Sequence, residues 1–277
     1  MKELSILNQF QGFLKTPNIF PKDHPADFNI FNFPEVPITD ALIADLEKLD
    51  HPRNSVLGKR MESFFEIAIK HSSQYQILDS NIQIIHNKQT LGELDFLLLD
   101  KQASKVLHVE LVYKLYIYDE TVDLEIQRWI GPNRRDSFFE KLGKLRSRQF
   151  PLLYKPETLN YLDKLNISID KIEQQLCFKA QLFTSGSVFQ KKQNLVNPDC
   201  LAGNWYHLNH FIKMKWDENL FYSPKKKDWS CDPEDNTNWM NQKDFLKNIQ
   251  SLLEKNKAPL VWMKTRSAFY KFFIVWW

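Results

Sequence analysis

The chain has 277 residues, 43% apolar and 26% charged, enough for a folded core and too hydrophobic for a disordered one. A net charge of +3, from 37 basic and 34 acidic residues, excludes a globally basic nucleic-acid binder, so any phosphate-binding surface must come from local clustering. The three cysteines, Cys177, Cys200 and Cys231, lie far apart with no C-x-x-C; this argues against a disulfide scaffold and a zinc knuckle and suits a reducing, cytoplasmic setting.

Residues 1–18 have polar breaks in their apolar run and no small-residue cleavage site, so no signal peptide is expected. No window reaches the ~18 apolar residues of a membrane span, so no membrane partner is expected. Pro17, Pro21, Pro25, Pro34 and Pro37 keep 17–38 irregular. The spacing of Leu42, Ile43 and Leu46 then predicts a short helix over 39–50. Asn54 or Ser55 is placed to cap a second helix reaching about His71, with Leu57, Met61, Phe64, Phe65 and Ala68 at helical spacing.

Three strand-like runs follow, at 82–86, 91–99 and 106–118, with 100–105 as a hairpin loop. After Gly131 and Pro132, with Asn133 as a cap, 134–149 reads as a helix with Phe138, Leu142 and Leu145 buried. A further strand is expected over 176–183, ending in a turn at 184–187. The residues beyond 190 are rich in aromatics, Asn and Lys; they predict a helix over 244–255 and two strands flanking Thr265 and Arg266. The expected organisation is an N-terminal helical extension (1–54), a core (55–190) and an aromatic-rich C-terminal extension or lobe (191–277).

Side chains two apart share a strand face. Glu93, Asp95, Leu97 and Leu99 therefore share one face, with Leu94, Phe96 and Leu98 on the core side. In the next run His108, Glu110, Val112 and Lys114 share a face. Folding the hairpin symmetrically about Gln102 and Ala103 sets Asp95 opposite Glu110 and Leu97 opposite His108. Cross-strand neighbours lie ~4.5–5.5 Å apart, so the two carboxylates repel unless a cation or a lysine stands between them. A divalent cation is the partner such oxygens suit. Lys114 is suited to stabilise charge on a phosphate or assist an attacking water, and Glu62 on the preceding helix to supply a further oxygen, with Glu66 as its alternative. Taken alone, such a grouping is more often a surface ion pair.

The element order is helix, three strands, helix, strand, and the segments GELDFLLL, HVELVYK, LGKRMESFFE and RRDSFFEKLGKLRSR sit at matching places. This resembles the PD-(D/E)xK nuclease superfamily. The resemblance implies an α/β fold with a small mixed sheet flanked by helices and a restriction-endonuclease-like core. It also implies catalysis by Asp95, Glu110, Lys114 and Glu62, a Mg²⁺ or Mn²⁺ ion on Asp95 and Glu110, and a nucleic-acid substrate, DNA. More narrowly, LGKRMESFFE, TLGELDFLL, HVELVYKLY and WIGPNRRD together resemble a bacterial family, domain of unknown function 1853. One departure stands out. The superfamily's lysine follows the acid by two residues; here Val112 takes that place and Lys114 comes four residues after Glu110, roughly 13 Å along a regular strand.

Arg134, Arg135, Lys141 and Lys144, with Gln127 ahead of them, are candidate phosphate contacts beside the site, or a solvated helix face. Lys225, Lys226 and Lys227 mix with Trp216, Phe221, Tyr222 and Trp229, a pattern that suits stacking of single strands or an ordinary loop over an aromatic core. Cys200, His207 and His210 match no metal pattern, and His108 is a candidate neighbour of the acids or a structural histidine. No phosphate-binding loop, dinucleotide fingerprint or nucleophile elbow occurs. The other expectations are a non-catalytic nuclease-fold module binding nucleic acid, or a protein partner taken through the C-terminal lobe.

Overall fold

The computed structural model describes residues 4–21, 28–51, 57–185, 195–216 and 218–277. In chain order its elements are α1 (Ile6–Lys15), β1 (Asn29–Ile30), α2 (Asp40–Glu47), α3 (Leu57–Lys70), β2 (Tyr75–His86), β3 (Gln89–Asp100), β4 (Lys105–Tyr118), β5 (Trp129–Ile130), α4 (Phe138–Lys144), α5 (Pro156–Lys164), β6 (Ile172–Thr184), β7 (Leu201–His207), α6 (Leu208–Lys213), β8 (Leu220–Tyr222), α7 (Gln242–Glu254), β9 (Leu260–Lys264) and β10 (Phe269–Val275). The fold is mixed α/β.

The small sheet expected from the sequence is replaced by a ten-stranded one, ordered β2-β3-β4-β6-β7-β10-β9-β8, with β1 on β6 and β5 on β4. The strands from β2 to β4 are antiparallel, β4 to β6 to β7 to β10 parallel, and β10 to β9 to β8 antiparallel. The sheet is larger than expected because every strand beyond residue 190 joins it. The strand at 201–207 was not expected from the sequence. Gly203 is there because Lys271 O lies 1.8 Å from where its Cβ would be, so only glycine allows β7 and β10 to approach.

β4 is buried along most of its length because both of its faces are covered, as the strands of helix-covered parallel sheets are. Leu107, Val109, Leu111, Tyr113, Leu115 and Ile117 pack with Phe10, Phe13, Phe64 and Phe65 of α1 and α3. Val112, Tyr116 and Tyr118 pack with Leu176, Phe178 and Leu182 of β6 and Phe138, Leu142 and Leu145 from α4 and its end. Leu94 departs from the expected alternation: it joins Leu97 in a separate cluster with Leu152, Leu153 and Leu162. A fourth cluster joins Phe211, Phe245 and Ile249 to β8, β9 and β10.

The expected helix over 134–149 begins later. Arg134 has φ 54°, which a helix cannot take, and the cap is Ser137: its Oγ accepts from the Glu140 N–H at 3.2 Å while Glu140 accepts from the Ser137 N–H at 3.1 Å. Asn133, expected as the cap, instead accepts from the Ala258 N–H at 2.8 Å. Past Lys144 the helix widens into a π turn over Leu145–Gln149, then tightens into a 3-10 turn over Phe150–Tyr154 containing Pro151. The strand expected over 82–86 starts at Tyr75; its polar stretch includes Asn81 at φ 53° and a register shift between Ile77 and Asp79, which hid the alternation. The helix at 39–50 is capped by Thr39, whose Oγ1 accepts from the Leu42 N–H at 3.2 Å. Asn54 and Ser55, expected to cap α3, and part of the turn expected at 184–187 lie outside the described residues.

Candidate active site

The β3–β4 hairpin has the expected register, with Leu97 opposite His108. Pairing ends at Phe96 and Val109, one step short of Asp95 and Glu110. There the side chain of Asp95 takes over from the ladder: its Oδ2 accepts the backbone N–H of Leu111 at 2.8 Å. No hydrogen bond reaches Asp95 Oδ1 from the described residues. Burial, and after it the charge of Glu110, push the Asp95 carboxyl well above the usual carboxylate range; Glu62 acts the same way, while the Leu111 N–H and Lys141 oppose.

Glu110 and His108 are fully buried. Gln174 sets the polarity of their pairing. Its Nε2 donates to Phe150 O at 2.9 Å, and the second hydrogen of that amide faces His108 Nδ1, also at 2.9 Å. A carbonyl only accepts, so it is the NH₂ of the Gln174 amide that faces both partners, and Nδ1 must accept. The ring proton then sits on Nε2 and is donated to Glu110 Oε1 at 2.9 Å. From the other side Gln149 Nε2 donates to Glu110 Oε2 at 2.6 Å, while Gln149 Oε1 accepts from Lys141 Nζ at 2.6 Å. Glu110 is thus clamped at both oxygens, and one glutamine amide ties it to Lys141. Burial holds the Lys141 ammonium below the usual lysine range; Glu110 and Asp95 work to restore it, while Lys114 and Lys144 lower it further.

The π turn explains how Gln149 reaches Glu110. An extra residue per turn rotates the chain after Lys144, bringing Gln149 to the sheet beside Lys141, eight residues apart in sequence. Neither Gln149 nor Gln174 carries a sequence signal. Lys141 was read only as a phosphate contact, although it lies in α4 three residues after the buried Phe138 and beside Leu142, on the inward side of that helix.

The remaining expected site residues lie around this centre. Glu62 is ion-paired with Lys59 at 2.7 Å, and Lys59 also donates to Asn81 Oδ1 at 2.5 Å. Burial works against the Lys59 charge, yet its bond to Glu62 and the charges of Glu62, Glu93 and Asp95 raise it above its usual value. Glu62 therefore belongs to the acidic side of the site, whereas Glu66 is exposed. Lys114 is engaged elsewhere: its Nζ donates to Asp136 Oδ2 at 2.5 Å. Arg134 pairs with Asp119 and lies 3.8 Å over the ring of Trp277. Arg135 and Lys144 are exposed, and Gln127 sits on a 3-10 turn, Glu125–Gln127, with no hydrogen bond to the carboxylates. Cys200 faces Asn18 O at 3.2 Å and His207 faces Trp277 O at 2.7 Å. Among the described residues, no three His, Cys, Asp or Glu side chains gather as a metal-binding set.

The model of the family described as Domain of unknown function (DUF1853) matches residues 39–270. The chain belongs to the DUF1853 family. The matched region of this DUF1853 chain includes Glu62, Asp95, Glu110, Lys141 and Gln149, so the whole candidate site lies within the family domain. No curated protein and no solved structure matches the chain. No helix among the described residues is long and apolar enough to cross a membrane.

Proposed function

We propose that this DUF1853 protein is a divalent-metal-dependent phosphodiesterase acting on nucleic acid, with DNA as its substrate, built on a PD-(D/E)xK, restriction-endonuclease-like core. The observation that carries the reading is the convergence of Asp95 and Glu110, from strands that part at that point, with Lys141 linked to Glu110 through Gln149. The order α3, β2, β3, β4, α4, β6 supports it.

The donor chemistry fits a hard cation. Two carboxylates and water are the set that Mg²⁺ accepts, and the Asp95 carboxylate, desolvated and beside the charge of Glu110, carries a cost that a cation relieves. Asp95 and Glu110 would hold it, and Glu62 would orient its water. When bound, the ion lowers the pKa of a water and neutralises a phosphate oxygen. The chain's own residues do the rest. Lys141 presents an ammonium to a phosphate at the same centre, in the role that the sequence assigned to Lys114. Gln149 fixes both Lys141 and Glu110 in place, and His108 fixes the other oxygen of Glu110. The test is a Mn²⁺-supplemented nuclease assay on plasmid, linear and single-stranded DNA, with Asp95→Asn alongside. Cleavage by the wild type alone is expected; equal turnover by the variant would exclude the mechanism.

A second reading, a nuclease-fold module that binds nucleic acid or a protein without cleaving, draws on one observation: both Glu110 oxygens already accept hydrogen bonds. It predicts DNA binding that is the same in chelator and in Mn²⁺, with no cleavage.

A further inference from the structure

Away from Asp95 and Glu110, a cleft of about 720 Å³ opens between the turn at 131–136, the segment 222–229 and the end of α7 with the turn that follows it. Its walls are pinned together. Asn133 Oδ1 accepts from the Ala258 N–H at 2.8 Å, and Trp277 Nε1 donates to Pro132 O at 3.3 Å. Arg135, Lys225, Lys226 and Lys257 line it, and among the described residues no carboxylate does. Arg135, Lys226 and Lys257 form no ion pair among the described residues. Their mutual repulsion registers on Lys226: burial, then Lys114, with Arg135 and Lys257 in the same sense, hold its ammonium below the usual lysine range. The acid that opposes them, Asp136, is already bonded to Lys114. Exposed lysines usually spread apart or pair with carboxylates; cations gathered in one concave site are relieved by an anion.

The same walls carry half-buried aromatic rings, Tyr222 and Trp229, with Lys226 Nζ 5.5 Å over the Trp229 ring. A cavity of this size suits a small ligand with most of its surface enclosed. Cations beside π-faces suit a ligand with a phosphate at one end and a planar base at the other.

We propose that this cleft binds a nucleoside phosphate, with the phosphate on Arg135, Lys226 and Lys257 and the base against Tyr222 and Trp229. The ligand is either a free nucleotide or one unit of a nucleic-acid strand. The site needs neither Asp95 nor a metal, so it stands apart from the function proposed above.

The test is calorimetric titration of the full chain carrying Asp95→Asn, in chelator, so that loss of binding cannot be confused with failure of the carboxylate site. The probes are AMP, adenosine, inorganic phosphate, an acidic peptide and oligo(dA). AMP is expected to bind at least about ten-fold more tightly than adenosine, phosphate or the peptide, and the Lys226→Ala and Lys257→Ala variants to lose about ten-fold each. Thermal melting of these two exposed-site variants checks that they fold. Tighter binding of oligo(dA) than of AMP, by the same residues, supports the site and assigns it to a strand; the reverse supports it and assigns it to a free nucleotide. Adenosine, phosphate or the peptide binding as tightly as AMP, or full affinity in a folded Lys226→Ala, Lys257→Ala double variant, would overturn the proposal.

Discussion

The Asp95 carboxylate accepts the backbone N–H of Leu111 at 2.8 Å, just past the last paired residues of the β3–β4 ladder. That one bond fixes a half-buried acid beside a buried one, Glu110, and bears on how the fold responds to pH. A carboxyl whose pKa is raised on folding takes up a proton as the chain folds, between the usual carboxylate range and its raised value. Stability is therefore lost as pH rises through that window, and the ionised acid is a liability at neutral pH. Asp95→Asn keeps an oxygen for the Leu111 N–H and removes the charge. In chelator it should raise the midpoint of thermal unfolding at pH 7 and flatten its fall between weakly acidic and neutral pH. A variant that melts lower than the wild type at pH 7 would contradict this.

Lys141 and Lys114 make opposite predictions. Lys141 sits on Gln149 beside Glu110, while Lys114 sits on Asp136. Lys141→Ala should lower the rate of cleavage about 10²–10³-fold, and Lys114→Ala less than about ten-fold. Because burial lowers the Lys141 pKa, the wild-type rate should fall with rising pH before the usual lysine range is reached. Lys141→Arg, whose guanidinium stays charged, should lose that alkaline fall. Single-turnover rates across pH measure both effects.

Gln149 donates to Glu110 and accepts from Lys141, so it acts on both without touching a phosphate. Gln149→Leu should weaken Mn²⁺ binding about 10–100-fold while the chain still folds. Calorimetry of Mn²⁺ binding checks it.

The hairpin that builds this site was legible because alternation is a short-range rule: a symmetric turn about Gln102 and Ala103 gave the Leu97–His108 pairing directly. The helix and two strands of the C-terminal third were legible for the same reason, and are found as α7, β9 and β10. What sequence could not reach was non-local. Gln149 becomes part of the site only because a π turn rotates it there, and Gln174 only because β6 lies parallel beside β4, pairing with His108. The strand around Gly203 was hidden because its glycine is required by a non-local contact, the β7–β10 approach. The DUF1853 resemblance rested on local motifs and carried through, as the family match shows.

Two glycines test the packing account. A Cβ on Gly203 would meet Lys271 O at 1.8 Å, whereas nothing lies within 4 Å of one on Gly143 in α4. Gly203→Ala should cost about 3 kcal/mol of unfolding free energy through forced separation of β7 and β10. Gly143→Ala should add about 0.5–1 kcal/mol through helix propensity. Urea denaturation of the two variants measures both.

The claim under all of this is that Asp95 and Glu110 jointly accept a divalent cation. Mn²⁺ binding followed by electron paramagnetic resonance, on the wild type, Asp95→Asn and Glu110→Gln, tests it without relying on any substrate. The account predicts saturable binding of one ion by the wild type and its loss in each variant. Wild-type binding that survives in both, or none in any of the three, would contradict it.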